Sequence, residues 1–138
     1  MTTTNRPIRT YLDPSVLIGI MSDRSRRGRL GQAILEDSRR TFLTSEFVTL
    51  ECLPTAIYHR DLDQRAFFES YMTRALDVGP VDAIVRQALI EGAACGTAGI
   101  DACHLAAAVL GSADELITDE KPTKPMCRCQ SVKVVSLR

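Results

Sequence analysis

Five carboxylic acids stand where they could act together: Asp13, Glu51, Asp101, Asp119 and Glu120. Asp13 directly follows one short apolar run, and Asp119 with Glu120 follows another. Glu51 lies two turns into a helix that follows a third, and Asp101 opens a helix leading into a strand. Two ionised carboxylates about 4 Å apart repel by about 4 kcal/mol at an effective dielectric of about 20, so crowding several into one cleft is unfavourable without counter-charge. Divalent cations remove that penalty, and oxygen-rich sites suit Mg2+ or Mn2+. A cation held there can activate water and stabilise an in-line displacement at phosphorus. Each acid also has a structural use. Asp13 ahead of Pro14, and Asp101, are both of the type that caps helices. Glu51 suits a solvated helix face and Asp119-Glu120 an acidic turn. The shared position at strand ends is what points to metal.

The elements that must position these acids follow from hydrophobic patterning. Strands are expected over 8–12, 41–44, 76–78, 115–118 and 132–137. Helices are expected over 15–21 after Pro14, from about 30 to 40, over 46–57, 61–76 and 81–94, and over 100–110. Ser45 is placed to cap the third helix, with Phe47, Leu50, Leu53 and Ile57 facing inward and a kink from Pro54 near Leu50. Phe67, Phe68, Tyr71, Met72 and Ala75 form the stripe of the fourth. The last helix is apolar almost all round apart from Asp101 and His104, so it should be buried, and Gly111 ends it. Short strands alternating with helices imply right-handed parallel crossovers. The expected fold is therefore an α/β, three-layer sandwich whose central, mainly parallel five-stranded sheet is flanked by helices. Ligands in such sheets bind beyond the carboxyl ends of the strands, where the acids lie.

Length and composition fit one ordinary domain over 1–138, with hydrophobic residues at 45% and charged residues at 25%. Seventeen basic and seventeen acidic residues cancel, which excludes a global field drawing the chain onto nucleic acid or membrane. The distribution is uneven. Residues 1–40 carry net +4, residues 41–120 net −9 and residues 121–138 net +5. The start, MTTTNRPIRT, lacks the apolar core of a signal peptide, and no apolar run approaches the roughly 18 residues of a membrane span. With five cysteines in no regular framework, this predicts a cytoplasmic protein with free thiols. Cys127-x-Cys129 has no second Cys/His pair at zinc-ligand spacing. Arg24, Arg26, Arg27 and Arg29 suit phosphate contacts on RNA, or equally a solvated loop. A dinucleotide-binding fold is excluded because no G-x-G-x-x-G follows the first strand. A phosphoacceptor signalling domain needs an acidic pair after strand one and an Asp at strand three, and Asp13-Pro14 and Val78-Gly79-Pro80 supply neither.

Four stretches carry a resemblance. Tyr11-Leu12-Asp13-Pro14-Ser15-Val16-Leu17-Ile18 resembles the opening of the PIN domain, a metal-dependent nuclease fold typified by bacterial VapC toxins. Thr44-Ser45-Glu46-Phe47-Val48-Thr49-Leu50-Glu51 resembles its second motif, whose last Glu is the functional acid. The third motif is matched by 99–108, Gly-Ile-Asp-Ala-Cys-His-Leu-Ala-Ala-Ala, and the fourth by 113–120, a strand ending in Thr-x-acid. The motifs stand in family order across essentially the whole chain. Pro14 replaces a common Thr, leaving Ser15 as the nearby hydroxyl, and Glu120 rather than Asp takes the fourth acidic position, with Asp119 as the alternative.

The resemblance implies a PIN-like endoribonuclease, the toxin half of a toxin–antitoxin pair. Asp13, Glu51, Asp101 and Glu120 would bind one or two Mg2+ or Mn2+ ions, supported by Ser15 and Thr118. His104 is expected to hydrogen-bond in the core. RNA and an antitoxin are the implied partners, together with a homodimer for which the aromatics Phe67, Phe68 and Tyr71 also argue. The competing reading is a catalytically inactive PIN-like binding module, motivated by the altered fourth position.

Overall fold

The computed structural model describes residues 5–22 and 26–138. They form β1 (Ile8–Leu12), α1 (Pro14–Ser22), α2 (Arg26–Leu35), β2 (Arg40–Thr44), α3 (Glu46–Tyr58), α4 (Leu62–Arg74) and β3 (Leu76–Asp77), then α5 (Val81–Cys95), α6 (Gly99–Leu110), β4 (Glu115–Thr118) and β5 (Lys133–Ser136). A 3-10 turn, Pro125–Arg128, joins the last two strands. The five strands pair in the order β3-β2-β1-β4-β5, every pairing parallel. Right-handed crossovers put α1–α4 on one face and α5–α6 on the other. The side chains agree. Tyr11 of β1 meets His104 of α6, while Phe42 of β2 packs edge-on against Tyr71 of α4. The sheet is thus covered on both sides, as parallel sheets require.

Leu12, Leu17, Leu43, Ile84, Leu105, Leu116 and Ile117 are essentially withdrawn from water, each burial favouring the fold by about 1.5–3 kcal/mol. α6 buries Ala102, Ala106, Ala107 and Ala108, whose small side chains let it lie close to α5. At Gly92 any Cβ would collide with the Thr97 carbonyl. Among the described residues no single helix is long and apolar enough to cross a membrane.

Three expectations are corrected. The second helix stops at Leu35 rather than near Arg40, because the Asp37 carboxylate accepts from the Arg39 backbone N–H and turns the chain into β2. In α3 the buried side chains are Val48, Cys52 and Ala56, while Leu50 and Ile57 are exposed. The run offers two apolar stripes, and packing selects the one with smaller residues. Phe68 and Tyr71 are consumed by the chain's own core and Phe67 is partly buried against it, so these aromatics give no argument for a dimer.

Candidate metal and phosphodiester site

β1 and β4 are neighbours from which the chain departs in opposite directions, so the edge beyond them is a topological switch point. Asp13 caps β1 there and opens α1. Its side chain is nearly buried at 6% exposure and takes its hydrogen bonds from hydroxyls and an amide. Ser15 Oγ donates to Asp13 Oδ2 at 2.5 Å, Ser15 N at 3.1 Å and Thr118 Oγ1 at 3.4 Å. Ser15 Oγ also accepts from the Asp119 N–H, and Thr118 Oγ1 from the Glu120 N–H. Two hydroxyls thus tie the ends of β1 and β4 around one carboxylate. Burial pushes the Asp13 carboxyl above its ordinary value; His104 and the Ser15 bonds oppose the rise, and the Glu51 charge adds to it.

Glu51 lies on α3 at the rim, and its Oε1 accepts from His104 Nε2 at 2.7 Å. His104 Nδ1 pairs with the Tyr11 hydroxyl at 2.8 Å, which also pairs with Ser45 Oγ at 2.8 Å. Ser45 is therefore the N-cap residue of α3 without a side-chain capping bond, its hydroxyl being engaged by Tyr11. The link between His104 and Glu51 escaped the sequence reading, since no local spacing signals a pair 53 residues apart. Asp101 is half-buried in the first turn of α6, one turn before His104, and its side chain makes no hydrogen bond among the described residues.

The two acids after β4 diverge. Asp119 Oδ1 stands 3.5 Å from Arg27 Nη1, and its Oδ2 lies against Gly19 of α1. Glu120 reaches towards Lys124 at 3.8 Å. Arg26 and Arg29 are exposed on α2, and Arg26, Arg27, Leu137 and Arg138 line an open cleft of about 420 Å³ beside Asp119. Arg24 lies outside the described residues. Burial pushes the Cys52 thiol up to about 12, with Glu51 and Asp13 adding to it, and all five cysteines are free.

Among the described residues no three Asp, Glu, His or Cys side chains converge into a ready-made metal cage. Mg2+ keeps several waters and takes one or two carboxylates, so a buried Asp13 with Glu51 in electrostatic reach fits such an ion; a closed zinc-type cage does not fit.

No family model and no curated relative matches the chain. Solved structures do. It is similar to a chain of a toxin–antitoxin complex from Klebsiella pneumoniae, 21% identical over 94% of this chain and 98% of that one, with a TM-score of 0.73. A chain of the DNA-bound VapBC of Salmonella typhimurium is 18% identical over 95% and 99%, with a TM-score of 0.67. A chain of VapBC2 from Rickettsia felis, bound to a DNA fragment from its promoter, is 12% identical over 93% and 98%, also at 0.67. The fold is thus the one that the resemblance to the PIN domain implies.

Proposed function

We propose that the chain is a metal-dependent endoribonuclease of PIN type, one domain over 1–138, acting in the cytoplasm as the toxin of a toxin–antitoxin pair. The observation that carries this reading is the buried Asp13 carboxylate at the switch point, clasped by Ser15 and Thr118, with Glu51 in electrostatic reach. Asp13, Glu51, Asp101 and Glu120, with Asp119 as the alternative fourth acid, would hold Mg2+ or Mn2+. When bound, the ion supplies an activated water and offsets charge developing on the scissile phosphate. The chain's own residues do the rest. Ser15 and Thr118 fix the Asp13 carboxylate through Oδ2, and Arg26, Arg27 and Arg29 draw the RNA backbone to an otherwise acidic edge, with Arg24 assigned the same role.

The toxin role and an antitoxin partner are supported by the likeness to chains of toxin–antitoxin complexes. Homodimer formation is supported by exposed apolar side chains, Val85, Leu89 and Ile90 on α5 and Leu50, Tyr58 and Leu62 on α3 and α4. The lack of a preassembled three-ligand cage among the described residues favours a second reading, the inactive binding module. Incubation of purified protein with a mixed RNA pool, with and without Mn2+, beside a Mn2+ titration, separates the two. Saturable binding with metal-dependent cleavage supports the nuclease; absence of both leaves the module.

A further inference from the structure

His104 is fully buried, yet its ring is bonded on one side to the core and on the other to an acid at the surface. Glu51 Oε1 as a carboxylate oxygen can only accept, so His104 Nε2 carries the hydrogen of the 2.7 Å bond. In the neutral ring Nδ1 is then the acceptor, and the Tyr11 hydroxyl must donate to it. That uses the Tyr11 hydrogen, so Ser45 Oγ donates to Tyr11. In that tautomer the chain of hydrogen bonds from Ser45 to Glu51 runs in one direction. It starts on the loop after β2, crosses the fully buried ring of β1 and ends on α3. Glu51 is the one member exposed to water, with a side chain 36% accessible.

We propose that His104 is a positioning residue: held in one tautomer by Tyr11 and Ser45, it occupies Glu51 Oε1 and leaves Oε2 as the oxygen that meets a divalent cation. This rests on the nuclease reading of the site. Groups that orient metal-binding side chains typically change metal affinity or activity by about 10–100-fold when removed. His104→Gln retains an N–H donor near the Nε2 position, whereas His104→Met fills the space without one.

The test measures three quantities on the full chain: thermal melting, Mn2+ affinity by calorimetry, and cleavage of an RNA substrate. The expected result is that His104→Met melts cooperatively but loses about 10–100-fold in Mn2+ affinity, with a matching fall in cleavage, and that His104→Gln recovers most of both. A folded His104→Met with unchanged Mn2+ affinity and cleavage overturns the proposal. Should His104→Met fail to fold, Tyr11→Phe replaces it, since only a hydroxyl is removed, and unchanged Mn2+ affinity there overturns the proposal equally. Nitrogen-15 NMR of the metal-free imidazole separates this from failure of the nuclease reading. An Nε2–H tautomer whose signal moves in Glu51→Gln supports the positioning role even in a protein that cleaves nothing, and an Nδ1–H tautomer overturns it in either case.

Discussion

Asp13→Asn separates a metal-binding carboxylate from a helix cap, because the two roles move two readouts differently. Asn keeps the shape and an oxygen for Ser15 and Thr118, so the hydrogen bonds to Asp13 Oδ2 persist with a neutral acceptor. A bond to a charged group contributes about 1.5–3 kcal/mol and one to a neutral group about 0.5–1.5 kcal/mol. Weakening the two Ser15 bonds therefore costs on the order of 2 kcal/mol. Relief of burial acts in the other direction. The folded-state pKa of Asp13 lies above its unfolded value, so the folded protein holds the proton more tightly. Stability of the metal-free wild type then falls as pH rises from the ordinary carboxylate range through the raised value, and the loss is complete above it. Asn removes that slope. The expected net change at neutral pH is within about 2 kcal/mol of zero, since the two contributions oppose. Cleavage behaves otherwise. If the ion contributes even about 4 kcal/mol to the transition state, losing it slows the reaction by about 10³-fold. The assay pairs urea unfolding of metal-free protein at pH 4 to 8 with Mn2+-supported RNA cleavage. An Asp13→Asn variant that is folded, binds Mn2+ as before and cleaves within tenfold of wild type would refute the reasoning.

Four further outcomes are expected. Glu120→Gln should reduce cleavage more than Asp119→Asn, since Asp119 sits against Arg27; the opposite ranking in single-turnover assays moves the fourth role to Asp119. Asp37 is held down to about 2 by its bonds to Arg39, so its stabilisation is present above its ordinary 3.8 and lost as pH falls towards 2. Asp37→Asn should flatten the acid limb of the unfolding profile in that window, and an unchanged limb contradicts the assignment. Replacing both Arg26 and Arg29 by Gln should weaken RNA binding and lower the slope of log affinity against log salt by up to about 1.4, at about 0.7 per phosphate contact on a single strand; an unchanged slope removes these residues from the RNA path. Alkylation of Cys127 and Cys129 should leave cleavage intact, and its loss with release of stoichiometric zinc would overturn that view.

The strands and the order of elements were legible because each strand is a short apolar run closed by Asp, Ser or Gly, and the acids after them inherit their place from a parallel sheet. Helix faces were less legible. In α3 both Phe47-Leu50-Ile57 and Val48-Cys52-Ala56 are consistent with helical spacing, and only packing into the core selects the second. The end of α2 depends on one carboxylate turning back onto Arg39, a bond that competes with the helix and leaves no trace in periodicity. At the candidate site, Asp13 and Thr118 stand out in the sequence by their places at strand ends, and Ser15 only through the resemblance. Tyr11 was not recognised as the partner of His104, nor Ser45 as the partner of Tyr11, since Tyr11 lies 93 positions from His104 and nothing local encodes that pairing.

The strand order has a consequence for synthesis of the chain. β1 occupies the middle of the sheet, but its partner β4 is made far later, Thr118 lying 105 positions after Asp13. At about 5–20 residues per second, translation of that interval takes about 5–20 s. Throughout it one edge of β1 is without its strand and the Asp13 carboxylate without its second hydroxyl clasp. The long-range closure also carries the larger entropy cost, incurred before its contacts stabilise anything. A nascent chain halted short of β4 therefore carries the leading acid of the site on an open sheet edge, a template for wrong pairing rather than a working centre. Assembly of the site waits on synthesis of β4.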